Sequence, residues 1–207
     1  PLRQVQQLVH YLREDLKEKL TGDSIRHMEL LVDRVKRMDH LLVAMLDYLR
    51  VGRDNLQIET ISVGQLINDV LTLLAPPKRF VIQIENDLPI LETHPCALGQ
   101  VFRNLISNAI QHHERKEGTI RIQSRDISNH HVEFMVADDG PGIPAQYHQK
   151  IFQLFQKLGS ETSSQGVGIG LSLVQKQVYS FGGAITVESG PDRGTTFRFT
   201  WPKKITK

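Results

Sequence analysis

From Leu2 onward, apolar residues recur at Val5, Leu8, Val9, Leu12, Leu16 and Leu20, the three- and four-residue steps of one helix face. Thr21-Gly22-Asp23-Ser24 interrupts them: Gly22 suits a left-handed C′ position, and Asp23 or Ser24 can cap a following helix. A second series, Ile25, Met28, Val32, Val35, Met38, Leu42, Met45 and Leu49, has the alternating spacing of a heptad seam. At 1.5 Å per residue this second helix would be about 40 Å long. So short a turn makes the two helices antiparallel neighbours, and a lone hairpin cannot bury both stripes. The seam packs either on the rest of this chain or on a second copy; a homodimeric four-helix bundle is the expectation.

Gly52-Arg53-Asp54-Asn55 ends the helical period and sets a boundary, with a hairpin over 1–53 and a second domain over 54–207. The second domain opens with a predicted strand at 57–61 and an amphipathic helix over Val63–Leu74, stopped by Pro76-Pro77. Phe80–Ile84 alternates like a strand before the Asn86-Asp87 turn. A helix is predicted over 94–111, with Pro95 in its first turn and Val101, Phe102, Leu105, Ile106, Ala109 and Ile110 on its apolar face. The run 132–137 reads as a buried strand, and a further helix runs to about Phe181. The segments 183–188 and 195–201 read as a strand pair across a Gly- and Pro-rich turn. Helices mixed with strands behind a helical hairpin make this an α+β chain.

Composition narrows the function classes. At 207 residues the chain holds one sizeable core plus an appendage. A net charge of +2 is too small to argue for a nucleic-acid partner. Cys96 is the single cysteine and has no internal disulfide partner, which fits a reducing compartment. No apolar run approaches about 20 residues, so direct membrane insertion by this segment is not expected. Pro1 stands where a start Met would, so the chain reads as a piece of a longer protein.

Candidate chemistry gathers in three places. Asp138-Asp139-Gly140-Pro141-Gly142-Ile143 follows the buried strand. It is either a plain Asp-Gly turn or an adenine pocket, in which Asp138 accepts from the exocyclic amine and the glycines allow close approach. On the 94–111 helix, Gln100, Asn104, Asn108 and His112 share one polar stripe. Asparagine is a poor helix former, so the stripe is either a solvated face or a source of amide oxygens for Mg²⁺ and amide donors for phosphate. Gly166-Val167-Gly168-Ile169-Gly170-Leu171 leads into the last helix, where free N–H groups can meet phosphate oxygens. No Gly-Lys-Ser/Thr follows, so this is not a P-loop, and a small polar loop rather than a strand precedes it.

Five motifs in order carry a resemblance. Asn104-Leu-Ile-Ser-Asn108-Ala109, Asp138-Asp-Gly140-Pro-Gly142-Ile143, Phe152-Gln-Leu-Phe155, Gly166-Val-Gly168-Ile-Gly170-Leu171 and Gly194-Thr195-Thr196-Phe197 resemble the sequential asparagine, glycine and phenylalanine boxes of sensor histidine kinases. The hairpin is similar to that family's dimerisation and phosphotransfer domain. The resemblance implies a Bergerat-type ATP-binding domain, an α/β sandwich with helices on one face of a mixed sheet. It also implies the cofactors ATP and Mg²⁺, a response-regulator receiver domain and an upstream sensor domain of the same polypeptide as partners, and a cytoplasmic location. By motif, Asn108 would ligate Mg²⁺, Asn104 would lie by the phosphates, Asp138 would recognise adenine and Gly142 would line its pocket. Gly168 and Gly170 would close over the phosphates, and Lys157 is a candidate for the γ-phosphate. Gln111, His112, Gly140, Ile143, Phe155, Gly166, Ile169, Leu171 and Thr195 complete the implied ATP site.

The departures concern phosphate binding and the acceptor. Gln111 stands where the family often has lysine, and His94 where it often has aspartate. Pro1-Leu2-Arg3 resembles the end of the run that the family's phosphoacceptor histidine begins, which places that histidine five residues upstream of Pro1. His10, in His10-Tyr11-Leu12-Arg13-Glu14-Asp15, is a rival acceptor by local similarity, but it would remove nearly three turns from the hairpin. The Phe152 box and the hairpin argue against the gyrase, chaperone and mismatch-repair ATPases. A non-catalytic ATP-sensing dimerisation module is the alternative to an enzyme.

Overall fold

The computed structural model describes residues 2–16, 21–51, 57–84, 87–115, 117–156, 168–190 and 194–205. The chain divides into two compact units, Pro1–Asp47 and Tyr48–Lys207. The first holds α1 (Leu2–Asp15) and most of α2 (Gly22–Arg50). Here the predicted punctuation needs correction. Gly22 is the first residue of α2 and has no left-handed φ, so it does not terminate the preceding helix. The cap is Thr21, whose Oγ1 accepts the Ser24 N–H at 3.4 Å, and not Asp23 or Ser24. Val9 and Val35 are buried, but Ile25, Met38, Leu42, Met45 and Leu49 of the predicted seam stay exposed.

In the second unit, β1 (Glu59–Ser62) leads directly into α3 (Val63–Leu74). Ser62 caps α3 by accepting the Gln65 N–H, and Ala75 ends it in the left-handed region at φ 43°. Then follow β2 (Phe80–Ile84), β3 (Ile90–Thr93), α4 (Pro95–Gln111), β4 (Gly118–Asp126), β5 (His131–Asp138), α5 (Gly170–Ser180), β6 (Ile185–Ser189) and β7 (Thr195–Pro202). Five strands form one mixed sheet in the order β2-β4-β5-β7-β6. The β2–β4 pair is parallel, and the other three pairings are antiparallel. β1 and β3 pair separately, and the backbone of Glu92 in β3 also bonds Lys203 and Ile205 beyond β7.

The strands alternate cleanly. Ile120, Ile122, Val132, Phe134, Val136, Phe197, Phe199 and Trp201 point into a core shared with Val101, Phe102, Leu105 and Ile106 of α4 and Val174 and Val178 of α5. Their neighbours Arg125, Glu133, Arg198 and Glu188 face the other way and form ion pairs, Arg125 to Glu133 at 2.7 Å and Arg198 to Glu188 at 3.2 Å. The helices therefore cover one face and water the other, the α/β sandwich that the resemblance implies. Phe102, Phe134 and Phe199 meet with ring centroids 5.3–5.5 Å apart, and Trp201 donates from Nε1 to the buried Thr93 Oγ1 at 2.8 Å. This packing holds the C-terminal half of α4 beside the end of β5.

Candidate functional site

Both predicted asparagines lie on the outward side of α4. Val101, Phe102, Leu105, Ile106 and Ala109 are buried in the core, which leaves Gln100, Asn104 and Asn108 half-buried and Gln111 and His112 exposed. Asn104 Nδ2 donates to the Gln100 carbonyl at 2.8 Å, which leaves its amide oxygen for other work. That oxygen stands 3.2 Å from where a Cβ on Gly170 would be. The polar stripe therefore meets the first turn of α5. Ile169, at the cap position of α5, offers no side-chain acceptor, so its side chain leaves the first N–H groups of that helix uncapped. A glycine beside an amide and an uncapped helix start suits phosphate oxygens.

At the end of β5 the chain turns through Asp138–Ile143. Asp138 Oδ1 accepts the Gly140 N–H at 2.9 Å and the Thr195 N–H at 3.2 Å. Neither bond uses Oδ2. Burial pushes the Asp138 carboxyl above the usual carboxylate range, and the two N–H groups offset only part of that rise. A half-buried carboxylate with one oxygen pinned by backbone is suited to accept from an amine that displaces its water.

The turn is locked from the other side by a residue that sequence reasoning missed. Ser189, at the end of β6, accepts the Ile143 N–H at 2.7 Å and donates to the Gly194 carbonyl at 2.7 Å. Gly194 in turn donates to the Gly140 carbonyl at 3.1 Å. Gly142 has φ +79°, and a Cβ there would strike the Gly190 carbonyl oxygen, so only glycine fits. His148 Nε2 lies 2.9 Å from the Ile143 carbonyl and holds the far end of the turn.

The remaining predicted residues divide. Gly168, Ile169, Gly170 and Leu171 lead into α5, with Ile169 buried. Phe152 packs against the core, whereas Phe155 is 54% exposed with φ +64°, and its N–H bonds the Gly168 carbonyl at 2.8 Å. The backbone, rather than core packing, fixes Phe155. Lys157 and Gly166 lie outside the described residues. Among the described residues, no group of three or more His, Cys, Asp or Glu side chains could hold a metal.

Against this geometry, the family model for the Histidine kinase-, DNA gyrase B-, and HSP90-like ATPase matches residues 93–205. The chain belongs to this family. Within it, the chain is similar over 204 residues to Cyanobacterial phytochrome B of Nostoc sp. strain PCC 7120, at 30% identity over 97% of this chain and 27% of the relative. It is 31% identical over 207 residues to Methanogenesis regulatory histidine kinase FilI of Methanothrix harundinacea, covering 98% of this chain and 23% of that one. The chain thus spans about a quarter of the length of the curated relatives it matches. The solved catalytic domain of histidine kinase ThkA covers 72% of this chain and 97% of its own, with a TM-score of 0.60 and 30% identity. ThkA in complex with response regulator protein TrrA gives a TM-score of 0.67 at 24% identity over 98% of this chain and 59% of that one. The second unit is the catalytic ATP-binding domain of a sensor histidine kinase.

Proposed function

We propose that this chain is the kinase core of a two-component signalling protein, which passes the γ-phosphoryl of Mg-ATP to a histidine and then to an aspartate on a response-regulator receiver domain. The observation that carries the nucleotide reading is Asp138: a desolvated carboxylate held by Gly140 and Thr195 through one oxygen, with the other for the adenine amine. Gly142 and Ile143 would line the base, and Asn104, Gly168 and Gly170 would hold the phosphates. Asn108 would bind Mg²⁺ together with phosphate oxygens; when bound, that ion neutralises charge on the transferring group. The protein's part is to orient the γ-phosphoryl and to exclude water. An unprotonated imidazole nitrogen attacks phosphorus, the bond to the bridging oxygen breaks, and ADP leaves.

Five exposed apolar seam residues on one helix support a homodimer through the hairpin, since monomers rarely leave such a stripe in water. The ThkA–TrrA pairing supports a receiver domain as partner. We place the acceptor histidine upstream of Pro1 and not at His10, which stands exposed on α1. Among the described residues no helix is long and apolar enough to cross a membrane; the kinase would act on the cytoplasmic side.

Incorporation of γ-labelled phosphate as acid-labile label tests the proposal, comparing this chain with one extended upstream through its native sequence. Label on the extended chain alone is the expected result. Label on this chain moves the acceptor to His10. ATP binding with no label on either chain favours a sensing module.

A further inference from the structure

Behind the proposed adenine carboxylate stands a second pair, Asp139 of the same turn and His113, which lies outside the five boxes. His113 lies two residues beyond the end of α4 and is 6% exposed. Its Nε2 is 3.1 Å from Asp139 Oδ1, and that same oxygen accepts the Thr119 N–H of β4 at 2.7 Å. The ring meets Phe80 of β2 edge-on, with centroids 5.5 Å apart and planes at 90°. Two glycines make the room it occupies. A Cβ on Gly118 would collide with His113 Nε2, and one on Gly140 would lie 3.4 Å from His113 Cδ2 and 2.9 Å from Asp138 Oδ1.

The chemistry fixes the proton. Burial disfavours the Asp139 carboxylate, but the Thr119 N–H and His113 outweigh it and hold the group below the usual carboxylate range. Asp139 is therefore an ionised acceptor, and the ring must donate from Nε2. His113 Nδ1 is buried with no hydrogen-bond partner among the described residues. A proton there would be an unpaired donor, with the Nε2 lone pair turned against a carboxylate, so the alternative tautomer is penalised twice. The groups facing the ring are then Asp139 and Asp138 from the turn, the Thr119 N–H from β4 and the apolar Phe80 from β2.

We propose that His113 is a positioning residue for base recognition: through Asp139 it ties the start of the adenine turn to α4 and β4, and so fixes the aim of Asp138. The proposal rests on the reading of Asp138 as the adenine acceptor. An aspartate free to rotate could turn away from guanine, whose carbonyl occupies the place of the adenine amine and repels a fixed carboxylate. Loosening the tie should therefore cost ATP more than GTP. Uniform damage to the fold would lower both equally.

The test is competition binding of ATP and GTP to this chain, with thermal unfolding alongside. His113→Phe keeps the ring against Phe80 and removes the donor; Asp139→Ala alters a side chain that is 51% exposed and serves if the first variant folds poorly. Each variant should weaken ATP about tenfold, the worth of about 1.4 kcal/mol, while GTP changes less than about twofold. The double variant should lose no more than Asp139→Ala alone, because that change already removes the contact with His113. His113→Gln, which returns an amide donor near Nε2, should recover part of the loss. Unchanged ATP affinity, or equal losses for ATP and GTP, overturns the proposal provided that Asp138→Asn weakens ATP binding by about tenfold or more. ATP binding by Asp138→Asn as tight as that of the parent would refute the adenine reading itself, and the positioning role with it.

Discussion

Thr195 donates its backbone N–H to Asp138 Oδ1 across a sequence separation of 57 residues, at the point where β7 and β5 face each other in register. The bond ties the base of the site to the sheet, so the carboxylate is held by the fold as well as by its own loop. It also leaves Asp138 partly desolvated before any ligand arrives, which has a cost in stability.

That cost gives the first prediction. The folded chain holds the Asp138 proton to higher pH than the unfolded chain does, because burial raises its pKa. Its contribution to stability is intact below about 3.8, the ordinary value, and is lost as pH rises through the raised value. Asp138→Asn never ionises, so without nucleotide it should melt higher than the parent at neutral pH. The difference should vanish in acid. Thermal unfolding from pH 3 to pH 7 checks this; a variant that melts lower at neutral pH contradicts it.

Gly142→Ala should destabilise the turn and the nucleotide site together. Left-handed backbone costs a non-glycine residue about 1–3 kcal/mol, before the collision with the Gly190 carbonyl is added. At about 2–4 °C per kcal/mol for a chain of this size, the melting temperature should fall by at least about 2 °C. The same substitution at Gly182, which has φ +74° but open space around it, should cost less.

The periodicity of the chain made much of this fold legible, and the misses have physical causes. α3 and β2 run over the predicted residues because their apolar spacing, Pro76-Pro77 and the Ser62 cap agree with one another. β3 and β4 went unread. β3 has four residues, and β4 has only Ile120 and Ile122 facing the core, so pairing rather than pattern makes them strands. The Asp138 turn and the α4 stripe were visible as motifs, and the structure brings Asp138 and Thr195 together. Ser189 and His113 were not visible, because their partners Ile143 and Asp139 lie 46 and 26 residues away. Phe155, three residues from Phe152, is exposed, and its N–H bonds the Gly168 carbonyl.

Asn108→Ala should separate metal from nucleotide. The amide is the protein ligand proposed for Mg²⁺, so affinity for Mg-ATP should fall about tenfold, while metal-free ATP binds nearly as before. Titrations with and without Mg²⁺ read this directly. An equal loss in both would assign Asn108 to the phosphates.

The exposed seam makes its own prediction. Leu42 is 54% exposed in the single chain, so Leu42→Glu should cost a monomer within about 0.5 kcal/mol. In a homodimer it would place like charges at the seam. Sedimentation equilibrium should show dimers for the parent chain and monomers for the variant, with the melting temperature of the ATP-binding unit unchanged. Parent chains that sediment as monomers contradict dimerisation through this face.

The most direct measurement is a calorimetric titration of this chain with Mg-ATP, alongside Asp138→Asn. The account predicts one ATP per chain for the parent. A hydrogen bond to a charged group contributes about 1.5–3 kcal/mol, so the variant should bind roughly 10- to 100-fold more weakly. A parent chain that takes up no ATP, or a variant that binds it as tightly as the parent, would contradict an ATP site built on Asp138.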